Sequence, residues 1–169
     1  MATGGARLFK EKYKLDRYVL VVGRVERRKN QATIAAALAN SDLKLVLVGH
    51  CLDPKYMELV MRCGDPNVIH VDHIANRELL ASAYRGATVF LMASWAEGAP
   101  LAALEAASAG TPMVLSSQSS EEEYFGTDAL YVNPTDMDAI EETVNQVAEN
   151  LEVQCDEHRE VVSAKYQAR

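Results

Sequence analysis

The sequence predicts a single α/β domain: a doubly wound, Rossmann-like sheet of about six parallel strands flanked by helices. Three observations carry that expectation. Short β-rich runs alternate with helical segments along the chain. The runs Val19-Leu20-Val21-Val22 and Leu45-Val46-Leu47-Val48 are continuously apolar rather than alternating, the mark of strands covered on both faces. Loops are short, and no repeat, low-complexity tract or linker divides the chain.

The elements follow in order. Met1-Ala2-Thr3-Gly4-Gly5 reads as a disordered or vector-derived leader, and no element is assigned before Tyr18. Strands are expected at 18–23, 44–49, 67–72, 88–92, 112–116 and 130–132. Helices are expected at 31–38, 54–63, 77–84, 101–109 and 137–150, with an acidic turn at 121–124. Asn30 and Asp136 have the short acceptor side chains that cap helix starts. Asp53-Pro54 and Asp65-Pro66 form turns, and Gly110-Thr111-Pro112 hands a helix on to a strand. Residues 156–169 read either as a terminal helix with its packing partner outside the chain or as an ordinary surface helix.

Composition narrows the class. The chain has 169 residues, enough for one domain with a full core. A net charge of -7 with no lysine- and arginine-rich face argues against a nucleic-acid partner. No apolar run approaches the ~20 residues of a membrane span, and the N-terminus shows no signal peptide. Cys51, Cys63 and Cys155 lack metal-ligand spacing and an acid or histidine partner, as expected of reduced thiols in a cytoplasmic protein.

Two polar signals stand out. The first strand ends at Gly23 and runs into Arg24-Val25-Glu26-Arg27-Arg28-Lys29-Asn30. Its cations either neutralise a diphosphate, arginine as a fork and lysine as a point charge, or form a solvated basic loop. The fourth strand ends in Ser94-Trp95-Ala96 and then Glu97-Gly98-Ala99-Pro100-Leu101-Ala102-Ala103-Leu104-Glu105. Gly98 lets backbone approach a ligand, and Pro100 suits the first turn of a helix, whose free N–H groups attract phosphate or sugar oxygens. Two glutamates beside that anion-seeking end suit something both anionic and polyhydroxylic.

Open α/β sheets bind ligands beyond the carboxyl ends of their strands, where the strand order reverses. In the order 3-2-1-4-5-6, strands one and four are neighbours, so the basic and acidic loops converge on one crevice. Glu105, among small apolar residues, is expected near the interior, where its carboxylate needs a partner. A ligand diol is the preferred partner; Arg24, Lys29 or a backbone amide are the alternatives. Glu121-Glu122-Glu123 reads as a solvated helix face, and Trp95 as core or rim packing. His50, His70, His73 and His158 show no ligand-like clustering, although His73 follows a strand end.

Taken together, residues 18–150 resemble the carboxyl-terminal, donor-binding domain of a GT-B glycosyltransferase of retaining family 4 ("group 1"). The likeness rests on Gly-Arg-x4-Lys-Asn at 23–30, on Glu-x7-Glu from Glu97 to Glu105, and on Ala-x-Gly-Thr-Pro-x-Val at 107–114. It implies that Arg24 and Lys29 hold the donor diphosphate and stabilise the leaving group. It further implies that Glu97 binds donor-sugar hydroxyls near the anomeric carbon, and that the backbone of Gly98, Ala99, Pro100 and Leu101 contacts phosphate and sugar. Gly23 belongs to the same phosphate-binding turn, and Glu105 would hold the ribose hydroxyls.

His73 stands where the family often has glycine, so His73 and Ile74 would shape base recognition; one acid of 121–123 would lie near the sugar. No metal or other cofactor is implied, and the donor would be a UDP- or GDP-sugar. The family's amino-terminal acceptor domain has no counterpart here; residues 1–17 would be a leader and interdomain remnant before a nucleotide-sugar domain at 18–169. Membrane association would come only through that missing half, and the chain alone would transfer no hexose. The competing readings are another sugar-nucleotide enzyme half, such as an epimerase or a phosphorylase, and a non-catalytic α/β interaction module.

Overall fold

The computed structural model describes residues 4–154, and side chains within 5–150. The expected segment at 156–169, with Cys155 and His158, lies outside the described residues. Six strands form one parallel sheet: β1 (Tyr18–Val22), β2 (Lys44–Val48), β3 (Val68–Val71), β4 (Val89–Met92), β5 (Met113–Ser116) and β6 (Leu130–Val132). Their order is β3-β2-β1-β4-β5-β6, so the chain starts mid-sheet, winds to one edge, and crosses back to build the other. The central strands β1, β4 and β5 are nearly or wholly buried, as strands with helices on both faces must be.

The helices are α1 (Gly4–Tyr13), α2 (Gln31–Ala37), α3 (Pro54–Gly64), α4 (Arg77–Gly86), α5 (Leu101–Ser108), α6 (Glu121–Phe125) and α7 (Met137–Gln154). One core layer, with Phe9, Leu79, Ala103 and Phe125, joins α1, α4, α5 and α6 to the sheet; the other, with Ile34, Val60 and Val144, joins α2, α3 and α7. The chain thus matches the doubly wound expectation strand by strand.

Helix α1 is the difference, because the sequence assigned no element before Tyr18. Two glycines open it and only Leu8, Phe9 and Tyr13 give it an apolar side, so its local pattern is weak. Its order comes from tertiary packing on α4. Phe9 is fully buried against Tyr13 and Tyr18, and its amide donates to the Ser82 hydroxyl of α4 at 2.9 Å.

At the carboxyl end of the sheet, β1 and β2 finish in glycines with positive φ, Gly23 at 144° and Gly49 at 147°. A Cβ on Gly49 would collide with the Gly23 carbonyl oxygen, so only glycine allows the two strand ends to close up. Three expected helix starts behave as capping chemistry requires: Asp53, Asn76 and Asp136 accept from the amides of Tyr56, Leu79 and Ala139 at 3.0 Å each.

Candidate functional site

The basic segment after β1 tightens into a single 3-10 turn, Arg27–Lys29, which lays the Lys29 side chain across Gly23; a Cβ there would sit 3.5 Å from Lys29 Cε. Asn30 was expected to cap α2. Instead it adopts left-handed backbone at φ 60°, and its side chain makes no capping hydrogen bond to α2. Its side-chain amide donates to the carbonyls of Ala93 at 3.1 Å and Pro134 at 2.8 Å, binding the ends of β1, β4 and β6 together. The sheet end needed that cross-tie more than the helix needed its cap.

The same loop meets the acidic block. The Trp95 amide donates to the Arg28 carbonyl at 3.0 Å, and the Arg28 guanidinium donates to the Ala96 carbonyl at 2.8 Å. Lys29 Nζ then donates to Glu97 Oε1 at 2.5 Å, and Arg28 Nη1 lies 3.5 Å from Glu97 Oε2. The Glu97 side chain is 6% exposed and that of Lys29 14%, so the pair is shielded from solvent. The backbone of Glu97 is fastened as well: its amide donates to Ser119 Oγ at 2.9 Å, and Ser120 Oγ donates to its carbonyl at 3.1 Å.

Glu121 follows directly, at the start of α6. The expected solvated face holds for Glu122 and Glu123, which are exposed, but Glu121 is wholly buried. The serine contacts to Glu97 draw this end of α6 inward and take Glu121 with them. No hydrogen bond of acceptable geometry reaches either of its carboxylate oxygens. Burial is the main cause that raises its pKa above the ordinary carboxylate range, and the nearby Glu97 charge adds to it. The neighbouring Ser119 hydroxyl and the Lys29 ammonium offset part of this rise.

Beyond Glu97 the chain opens. Gly98 and Ala99 are exposed, Pro100 is buried one residue ahead of α5, and Leu101 is 67% exposed. The Leu101 amide donates to the Ala99 carbonyl at 2.9 Å, while the next two amides, of Ala102 and Ala103, precede any helical acceptor. A Cβ on Gly98 would meet nothing within 4 Å. Trp95, at 42% exposure, forms part of the rim.

Glu105 corrects the expectation of an interior acid: it is exposed. It lines a groove of about 630 Å3 between α4 and α5 together with Tyr84, Leu80, Arg77, Leu101 and Leu104. Within the chain its partner is neither Arg24 nor Lys29 but the Tyr84 hydroxyl, which donates to Oε2 at 2.6 Å. Burial, with the Glu105 charge beside it, pushes the Tyr84 phenol well above its ordinary range. Small residues around Glu105 pack α5 on the sheet while its own face looks outward into the groove.

Beyond the ends of β2 and β3 two of the histidines meet, and no metal-ligand cluster forms among the described residues. His50 and His73 stack at 4.9 Å between ring centroids, beyond the ends of β2 and β3. Asp72 joins them, 2.8 Å from His50 Nδ1 and accepting from the His73 amide at 2.7 Å. That amide, then the His50 imidazole, hold the Asp72 carboxyl below its usual range. Ile74 is buried beneath, and His70 contacts the Gly49 carbonyl at 2.8 Å. Adjacent parallel strands bring these residues together, a signal readable from the ends of the neighbouring runs at 44–49 and 67–72.

The structure thus unites Gly23, Lys29 and Glu97, and carries Gly98, Ala99, Pro100 and Leu101 alongside them. Arg24 shares the basic loop but is exposed, with no ion pair among the described residues; its carbonyl accepts from the Gln31 amide at 2.9 Å. His73 and Ile74 lie toward the β3 edge, two strand spacings of about 5 Å from β1. Tyr84, Asp72, Ser119 and Ser120 join these groups without having been singled out in the sequence.

A parallel sheet whose order reverses between β1 and β4, with cations after one strand and an acid after the other, defines a Rossmann-like domain with its crevice at the switch point. The chain belongs to the family of glycosyl transferases group 1, whose model matches residues 7–167. It is 31% identical over 165 residues to the O-antigen chain mannosyltransferase B of Escherichia coli, covering 92% of this chain and 42% of that protein.

Among solved structures it resembles a sucrose-phosphate synthase from Thermosynechococcus elongatus, with 26% identity, a TM-score of 0.75, and coverage of 92% and 43% of the two chains. HepE from Anabaena, solved in complex with UDP and glucose, shares the fold at a TM-score of 0.83 and 17% identity, over 100% of this chain and 49% of its own. The chain therefore spans less than half the length of these relatives. No helix among the described residues is long and apolar enough to cross a membrane.

Proposed function

We propose that this chain is the donor-binding domain of a retaining, metal-independent family 4 glycosyltransferase that passes a hexose from a UDP- or GDP-sugar to an acceptor. The observation that carries the reading is the meeting of Lys29 with Glu97 at the β1/β4 switch, since neither sequence signal alone requires the other. In this reading Arg24 and Lys29 hold the diphosphate and neutralise the charge that develops on the leaving group, so that no metal ion is needed. Arg24, exposed and without an ion pair among the described residues, is free to fork onto phosphate oxygens.

Glu97 takes sugar hydroxyls, the first-turn amides of α5 and the open side of Gly98 take phosphate and sugar oxygens, and Glu105 takes the ribose diol. His73 and Ile74 border the base. The acceptor is held by a second, amino-terminal domain, and the chain works in the cytoplasm. UDP beside HepE and the sugar-transferring names of the relatives support the donor class. A non-catalytic module is disfavoured because Arg24, Lys29 and Glu105 do not pair with one another: Lys29 holds Glu97 and Glu105 holds Tyr84.

The test is a titration of the chain with UDP, GDP and ADP, followed by amide shifts in NMR spectra. Saturable shifts at 23–30 and 97–105 for one nucleotide are the expected result. Lys29→Ala should weaken nucleoside diphosphates far more than the nucleoside, and Glu105→Ala should weaken ribonucleotides more than 2′,3′-dideoxy analogues. Equal losses in either comparison would remove that residue from its role, and sugar transfer by the chain alone would refute the need for a second domain.

A further inference from the structure

Among the described residues, the buried side-chain polar atoms without a partner are Gln31 Oε1, Ser94 Oγ and both carboxylate oxygens of Glu121. All three residues sit at the carboxyl end of the sheet: Gln31 opens α2, Ser94 follows β4, and Glu121 opens α6. Unpartnered buried acceptors are rare in folded proteins and ask for a reason. For Gln31 and Ser94 a water would serve; a buried carboxyl beside a second buried carboxylate is a different matter.

The charges around Glu121 do not balance. Glu97, from the β4–α5 loop, and Lys29, from the turn ahead of α2, face it, and Arg28 reaches only the far oxygen of Glu97. On its own helix Glu122 and Glu123 point to solvent. One shielded ammonium therefore serves two buried acids, and it is hydrogen-bonded to one of them.

We propose that Glu121 is a positioning residue that couples donor binding to a proton: when Lys29 turns from Glu97 to the donor diphosphate, the Glu97–Glu121 pair takes up a proton from solvent. The inference rests on the reading of Lys29 as a diphosphate ligand. The balance is simple. Free, the site holds the Lys29 ammonium, two carboxyl groups and the half-exposed Arg28 guanidinium, which is shared between Glu97 at 3.5 Å and Glu26 at 2.9 Å. Bound, the ammonium is spent on phosphate, and the shared guanidinium alone does not keep two adjacent buried carboxyl groups both ionised. The added proton lets one carboxyl donate a hydrogen bond to the other, which keeps Glu97 in place to accept from sugar hydroxyls. The raised pKa of Glu121 is in keeping with this. Because the bound state holds more protons than the free one, affinity must fall as pH rises across the window in which that proton is lost.

The experiment is calorimetric titration of the full chain with UDP-glucose and with GDP-mannose at several pH values, in buffers of different ionisation enthalpy. Sugar nucleotides are the right probes because both of their phosphates are esterified at the diphosphate end and do not titrate here. The expected result is uptake of a fraction of a proton, up to about one, per nucleotide bound, with affinity falling by up to about tenfold per pH unit. Glu121→Gln, nearly the same size and unable to ionise, should bind with no uptake and a flat pH profile. Circular dichroism and thermal melting confirm that the variant is folded.

Binding without proton uptake would overturn the coupling and leave the donor site standing. Uptake that persists unchanged in Glu121→Gln would also overturn it. Failure of both sugar nucleotides to bind would overturn the donor reading and this inference with it.

Discussion

The two glutamates of the acidic block, eight residues apart, are held in opposite ways. Glu97 is shielded, ion-paired to Lys29, within reach of Arg28, and fastened through its backbone by Ser119 and Ser120. Glu105 faces an open groove and has one neutral partner, the Tyr84 hydroxyl. The difference teaches that one end of the crevice is fixed by contacts within the chain, while the other is left largely to solvent. A fixed geometry suits a group near reacting atoms, where displacement is costly, and an adjustable one suits a handle that only anchors.

The largest effect should come from cutting the shielded end. Lys29→Ala leaves Glu97 and Glu121 buried with only Arg28 in range, so it should destabilise the fold by about 2 kcal/mol. For a chain of this length the melting temperature should drop by roughly 4–8 °C. A change within the noise of a thermal melt would mean that Glu97 is well hydrated, and the contrast between the two ends would collapse.

Glu121 sharpens the same end from the other side. Its raised pKa means that the folded protein holds a proton that the unfolded chain has already released. The stability that Glu121 contributes is therefore fully present below the ordinary carboxylate range and is lost as pH climbs through the folded value, above which its contribution stays constant. Glu121→Leu removes the titration and should raise stability at neutral pH by about 1 kcal/mol, a gain that shrinks toward pH 4. Melting curves from pH 4 to pH 8 check this, and a gain independent of pH would show that the acid is not the cause.

Much of this was legible beforehand, for identifiable reasons. Continuous apolar runs ending at Gly23 and Gly49 mark the buried parallel strands, and the usual strand order by itself brings Lys29 and Glu97 to one crevice. What stayed hidden depended on contacts remote in sequence. Helix α1 exists because Phe9 finds Tyr18 and Ser82. Glu121 looks like one acid in a solvated run, and only the serine ties to Glu97 pull it under. Small neighbours made Glu105 look interior, yet they bury the opposite face of α5. His50 and His73 are separated in sequence but end adjacent strands, a juxtaposition that strand order predicts once it is applied to every loop.

At the open end a smaller loss is expected. Tyr84→Phe removes the hydroxyl from Glu105, but the carboxylate is exposed and water can replace it, so the cost should be about 0.5–1 kcal/mol. Denaturant unfolding of the variant beside Lys29→Ala measures the ratio directly. Equal losses would mean that Glu105 is as firmly built into the fold as Glu97.

Gly98, between the two, should matter least to the fold and still matter to the ligand. A Cβ there meets no protein atom within 4 Å and the residue is exposed, so Gly98→Ala should leave stability within about 0.5 kcal/mol. Whatever holds glycine at this position is then not packing within the chain. If the open side of Gly98 is where phosphate or sugar approaches the backbone, the added methyl should weaken sugar-nucleotide binding while the melting curve stays put. Unchanged binding in a stable variant would put the ligand elsewhere along the crevice, nearer Glu105 and the α4–α5 groove, and reverse which of the two ends is the working one.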